Sequence, residues 1–186
     1  IKQSKKNNRK NKLKIVDRNK PLDISDVTNR DELNELVEQF IEKIDLKDYH
    51  IKETHLYTMC LNEEYYNPYD KWIRVGWALK NTDDSLFITW VAFSAQSSKF
   101  DFGSISDFYD MWCRFDRAND DGLTKRSIIY WAKINNYKEY QSIRGETIDY
   151  FVEKTIEHDT DFDFAQVLYQ MFKDDFTCIS IKRDIW

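Results

Sequence analysis

Residues 70–101 read DKWIRVGWALKNTDDSLFITWVAFSAQSSKFD. The stretch opens just after Asn67-Pro68-Tyr69-Asp70, a helix start with a capping Asn, a first-turn Pro and an acid three residues after the cap. Apolar spacing predicts a helix to about Lys80, with Trp72, Val75, Gly76 and Leu79 on one side and Ile73 and Trp77 broadening it. Gly costs about 1 kcal/mol relative to Ala inside a helix, so Gly76 predicts the close approach of another helix. Asn81-Thr82-Asp83-Asp84 then punctuates the chain, and Leu86, Phe87, Trp90, Val91 and Phe93 form the apolar side of a second helix.

Downstream, Ser94 to Gly103 is a polar connection. Ser104 and Asp107 open a third helix with Ile105, Phe108, Trp112 and Phe115 at helical spacing. Asp120-Asp121-Gly122 stops the chain, and Thr124 caps a fourth helix containing Ile128, Ile129, Trp131 and Ala132. Trp72, Trp90, Trp112 and Trp131 thus fall on the apolar sides of four short helices. The expectation is that they interlock as one core; an open platform for stacking bases is the competing arrangement.

Further out the pattern thins. Leu33, Leu36, Val37, Phe40, Ile41 and Ile44 define a helix over 29–44, with Thr28 and Asp31 as its cap, and 46–61 is a weaker helical segment. A long helical region over about 136–156 contains Tyr140, Ile148, Phe151 and Val152, with Gly145 as a point of kinking or division. A charged junction at 157–161 leads into a short helix over 162–172, and FTCISI at 176–181 has strand character, its partner expected in a following domain. The predicted fold class is mostly α, a small multi-helix bundle of short aromatic-rich helices with a short β element near the C-terminus. The predicted layout is a basic flexible linker over 1–25, a helical lead-in over 26–64, a helical domain over 65–136 and a further helical start over 137–186.

Composition agrees with helices. The 186 residues include 12 Phe, 11 Tyr and 6 Trp but only 4 Gly and 2 Pro, too few for the many turns of a sandwich or barrel. The net charge of −5 is uneven: residues 1–20 hold nine Lys/Arg against one Asp, leaving 19 basic and 32 acidic residues in the other 166. The basic arm has little apolar material to offset the entropy of ordering, and it suits a linker or a tail attracted to phosphates. A first residue of Ile followed by polar sequence points to a piece of a longer chain. Cys60, Cys113 and Cys178 are widely spaced, which favours reduced thiols inside a cell. No apolar run reaches the roughly 18 residues of a membrane helix.

The chain has no GxxxxGK[ST], GxGxxG or HExxH motif. His50, His55 and Cys60 are five apart and rotate around a helix instead of sharing a face. His158 lies among Glu157, Asp159, Asp161 and Asp163, and Asp101, Asp107, Asp110 and Asp116 form a second acidic group; both read more simply as solvated surface than as metal or acid–base sites. Candidate nucleic-acid contacts are Lys71 and Arg74, one turn apart, with Lys125, Arg126 and Lys133 on the fourth helix. Asp70, Asp83 and Asp84 nearby weaken any broad positive field.

Four stretches, YDKWIRVGWALKN at 69–81, LFITWVAFSAQSSKFD at 86–101, YDMWCRF at 109–115 and GLTKRSIIYWAK at 122–133, carry a resemblance over Tyr65 to about Tyr140. The chain there resembles the primase C-terminal domain of the second type, especially in versions from large DNA viruses. Residues 137–186 resemble the entry to the helical domain ahead of a superfamily-three helicase in poxvirus-like primase–helicases, and residues 1–20 would fit a tether from a primase module. The resemblance implies viral DNA replication, inside the host cell at cytoplasmic or viral replication sites. It implies primase and helicase modules as partners in the same chain, ATP and Mg²⁺ in those modules, and a parent that forms a homo-oligomeric ring. It carries over no catalytic, cofactor or metal residue to this segment; Trp72, Gly76, Trp77, Trp90, Trp112 and Trp131 carry over as motif and core positions. The expected function is a non-catalytic connector that positions the primase module relative to an ATP-dependent helicase module, with DNA contact as an optional addition; the basic residues read more simply as serving solubility or contacts with other domains. A sequence-independent DNA-binding module, or a part completing a primase or helicase active site, are the alternatives.

Overall fold

The computed structural model describes residues 14–15, 22–115 and 122–173. Among these, Asn29 caps α1 (Arg30–Glu42) by accepting the Glu32 amide at 3.0 Å, and the Glu32 carboxylate reaches back to the Thr28 amide at 2.8 Å. The cap therefore sits one residue later than Thr28, with Glu32 as its reciprocal acid. Helix α2 (Tyr49–Met59) and the short α3 (Glu63–Tyr66) follow. Pro68 occupies the cap of α4 (Tyr69–Thr82), while Asn67 accepts the Ser97 hydroxyl at 2.9 Å instead of capping the helix. Helices α5 (Phe87–Ser94), α6 (Ile105–Cys113) and α7 (Lys125–Asn135) complete the first of two compact units, Ile1–Asn135 and Asn136–Trp186.

In the first unit α5 is the hub. All eight of its residues are buried, and α1, α2, α4 and α6 pack on it. Its two polar side chains are satisfied locally: Ser94 Oγ donates to the Trp90 carbonyl at 2.7 Å, and Thr89 Oγ1 lies 2.9 Å from His55 Nδ1. On α5, fully buried Trp90 stacks on Trp72 of α4 at 4.7 Å between centroids and 23° between planes. It also meets Phe108 and Trp112 of α6 at 5.5 and 5.7 Å and Phe115 at 5.2 Å. Rings this close add about 0.5–1.5 kcal/mol per pair beyond the burial of their surface. Helix α7 closes another side against α2 and α4. Ile24, in a single 3-10 turn over Ile24–Asp26, is fully buried at the edge of this unit near α6.

The second unit pairs α8 (Tyr137–His158) with α9 (Asp161–Phe172). Helix α8 runs unbroken through Gly145 and buries Tyr140, Ile143, Thr147, Phe151 and Thr155, a stripe of three- and four-residue steps. Asp159, in the left-handed region with φ 50°, ends α8, and Thr160 caps α9. Helix α9 leaves Phe162, Phe164, Leu168 and Tyr169 exposed.

The chain is thus a mostly α-helical multi-helix bundle with aromatic clusters, and the expected β element near the C-terminus is overturned. Helix carries the described C-terminal residues through Phe172, and no strand lies among the described residues of the bundle. The only strand pairing among the described residues lies at the other end of the chain, where β1 (Lys14–Ile15) pairs antiparallel with β2 (Leu22–Asp23) over two residues each. The FTCISI segment itself lies outside the described residues. Its alternating apolar and small polar residues gave it strand character, a local preference that needs a partner strand to be realised.

Candidate nucleic-acid interface

Of the four motif tryptophans, Trp90 and Trp112 are buried and Trp72 is half-buried against Trp90, its Nε1 donating to Ser94 Oγ at 2.7 Å. Trp77 is half-buried and meets Phe115 edge-on at 6.4 Å. Trp131 is placed differently. It is half-buried, and its ring neighbour is Tyr65 of α3, at 5.7 Å and 37°.

The approach of α7 to α4 explains this position. At one end Asn81 Nδ2 donates to the Leu123 carbonyl at 2.9 Å, and the Lys125 amide donates to Thr82 Oγ1 at 2.8 Å. At the other, the Asn62 amide donates to Asn135 Oδ1 at 3.2 Å. Between these ties the Arg74 guanidinium lies 5.9 Å from the Trp131 ring centroid, and the Lys71 ammonium lies 5.0 Å from that of Tyr65. Lys71 also approaches Glu64 at 3.8 Å. Burial raises the Tyr65 phenol above its ordinary pKa, with Glu64 and Tyr130 adding to the rise and Arg74 opposing it. The hydroxyl therefore stays neutral, able to donate or accept, across physiological pH. Tyr130 and Ile134, one turn apart on α7, are 62% and 64% exposed.

Two of the five predicted basic contacts, Lys71 and Arg74, are thus brought together over aromatic rings. Arg126 and Lys133 are exposed on α7, and half-buried Lys125 begins that helix near His50, whose pKa is lowered by burial first and by the Lys125 charge second. Tyr65 and Tyr130 escape a periodicity reading, because Tyr65 sits on a four-residue helix and Tyr130 falls off the buried Ile128/Ala132 line. The signal available to find them is the local pairing of aromatic and basic residues, in EYYNPYDKWIR at 64–74 and KRSIIYWAK at 125–133.

The other clusters do not assemble. His55 is buried, its Nδ1 2.9 Å from Thr89 Oγ1, while the Cys60 thiol donates to the Tyr57 carbonyl at 3.2 Å. His158 Nδ1 lies 3.8 Å from Asp163 Oδ2, and that carboxylate also accepts the Thr160 hydroxyl at 2.5 Å in the cap of α9. Asp101 caps a 3-10 turn through the Gly103 amide at 3.0 Å, and Asp107 and Asp110 line an open hollow of about 520 Å³ with Arg114 and Trp77. Asp116 lies outside the described residues. No group of three or more His, Cys, Asp or Glu among the described residues is placed to hold a metal ion. No described helix is long and apolar enough to cross a membrane.

Comparison with known proteins places these residues in context. Residues 55–132, from the end of α2 into α7, match the family described as Primase C terminal 2. Proteins named "Putative primase" from the Tick/Malawi and Warthog/Namibia isolates of African swine fever virus are each 31% identical to this chain over 140 residues. The aligned stretch covers 70% of this chain but 14% of each relative, so the chain spans about a seventh of their length.

Proposed function

We propose that this chain, which carries a primase C-terminal domain related to the African swine fever virus proteins, is a non-catalytic connector within a viral replication protein. In this reading it holds a primase module at a set distance from an ATP-dependent helicase module, and residues 137–186 lead toward the helicase. ATP and Mg²⁺ act in those neighbours, the parent assembles as a ring, and the work is done at viral replication sites inside the host cell. The observation that carries the reading is the short span of the match, a small part of much longer relatives, folded as a unit whose tryptophans turn onto one another. A folded spacer sets the effective concentration of the modules at its ends.

The test is replacement of residues 55–132 in the intact protein by a flexible Gly/Ser linker of similar reach. Nucleotide incorporation on an open template and ATP hydrolysis should each persist, while primer synthesis that depends on unwinding falls. Loss of either separate turnover, restored by adding this chain in trans, would show instead that the segment completes an active site.

Direct DNA contact is a second reading, favoured by Lys71 and Arg74 projecting from one face of α4 onto aromatic rings. Phosphate contacts from such side chains position a nucleic acid without reading its sequence.

A further inference from the structure

We propose that Tyr65, Tyr130 and Trp131 form a stacking site for the unpaired bases of single-stranded DNA, with Lys71 and Arg74 meeting the flanking phosphates; this rests on the DNA-contact reading above. The first ground is the position of Trp131. Trp90 and Trp112 are consumed by the core, whereas Trp131 is half-buried and pairs with Tyr65 of α3 at 5.7 Å, outside the cluster around Trp90. Tyr130 beside it is 62% exposed, and Ile134 extends the apolar strip by one turn. Arg74 lies 5.9 Å from the Trp131 ring and Lys71 5.0 Å from the Tyr65 ring, and the two rings are 5.7 Å apart, so the ring pair and both cations share one patch, which Tyr130 adjoins through its neighbour Trp131.

The second ground is charge. A broad cationic field would suit the regular phosphate track of a duplex. Here Lys71 is shared with Glu64 at 3.8 Å, and Asp70 is exposed beside it. Two cations so flanked are a weak electrostatic footprint for duplex DNA, whose base faces are hidden inside the helix. Affinity must then come from ring faces, which only unpaired bases can meet. Arg74 suits this task, since a guanidinium can lie on an indole and still present its edge to a phosphate.

The experiment is fluorescence anisotropy of the full chain with a labelled oligo-dT of about 12 nucleotides, within the site sizes typical of single-strand binders, and with a duplex of equal length. Tyr130→Ala should weaken oligo-dT binding about tenfold without changing its salt dependence, and Tyr130→Trp should restore it. Arg74→Ala should weaken binding and reduce the salt slope by about 0.7. Because Tyr130 is mostly exposed, its variants should melt like the parent. Three results would overturn the assignment. If Tyr130→Ala binds normally, the stacking site fails; the DNA-contact reading survives where Arg74→Ala still weakens binding, and falls to the basic arm where removal of residues 1–20 abolishes binding instead. If Tyr130→Ala leaves DNA binding intact but alters self-association on size exclusion, the patch is a protein interface. If the parent chain does not bind oligo-dT at all, both readings fail.

Discussion

A Cβ at Gly76 would lie 2.8 Å from Cε2 of Trp90 and 3.0 Å from Cε2 of Phe115. Helix propensity favours Ala over Gly by about 1 kcal/mol, but Trp90 is fully buried among Trp72, Phe108, Trp112 and Phe115 and has little room to yield. Overpacking of this kind costs about 1–3 kcal/mol, so Gly76→Ala should lower the urea midpoint; an unchanged or raised midpoint would mean the indole can slide. His55 makes the second prediction at this scale. Burial lowers its pKa from 6.5 to about 4. Above pH 6.5 the imidazole is neutral in both folded and unfolded chains and stability is unaffected. As pH falls from 6.5 toward 4, only the unfolded chain takes up the proton, so stability declines, by about 3 kcal/mol at pH 4. His50, also lowered by burial, pushes in the same direction. Denaturation midpoints between pH 4 and 7 should show this fall, and His55→Gln should flatten most of it. A slope unchanged in that variant would assign the acid sensitivity elsewhere.

At the scale of elements, helices with one dry face were legible together with that face, whereas the helix with no wet face was legible as a helix but not as wholly buried. The α1 stripe at Leu33 and Phe40 and the α6 stripe at Ile105 and Trp112 both follow helical spacing into the core. Helix α5 has an apolar side in its sequence but is buried on every side, because four helices surround it. Helix α2 buries Glu53, Thr54 and His55 together with Tyr57, so its pattern blurs for the same reason. Periodicity also places Trp90 and Trp131 on equivalent stripes, although one is wholly buried and the other is not. The candidate interface was legible only as scattered cations, because its aromatic half comes from the meeting of α3 with α7, a contact between residues far apart in the chain. The two tryptophans should therefore respond differently to truncation. Trp90→Ala should cost about 3–5 kcal/mol, enough to unfold a marginal bundle, whereas Trp131→Ala should cost well under half as much by chemical denaturation. Equal losses would return Trp131 to the core and remove its claim to a binding surface.

For the molecule as a whole, the division at Asn135/Asn136 separates two cores of unequal quality. The first holds the interlocked rings of Trp72, Trp90, Trp112 and Phe115. The second rests on the α8 stripe against α9, and much of the apolar surface of α9, including Phe162, Leu168 and Tyr169, stays exposed. Less apolar burial gives less to offset the entropy of ordering two helices, so α8 and α9 should melt first. The spectroscopic separation is favourable, since Trp72, Trp77, Trp90, Trp112 and Trp131 all belong to the first unit, and Trp186→Phe removes the remaining indole. In that background, far-UV dichroism should lose part of its helical signal at a temperature where the near-UV tryptophan signal is still intact. The tryptophan signal should then collapse in a second, steeper transition. Coincident curves from the two probes would mean that the units fold as one cooperative body.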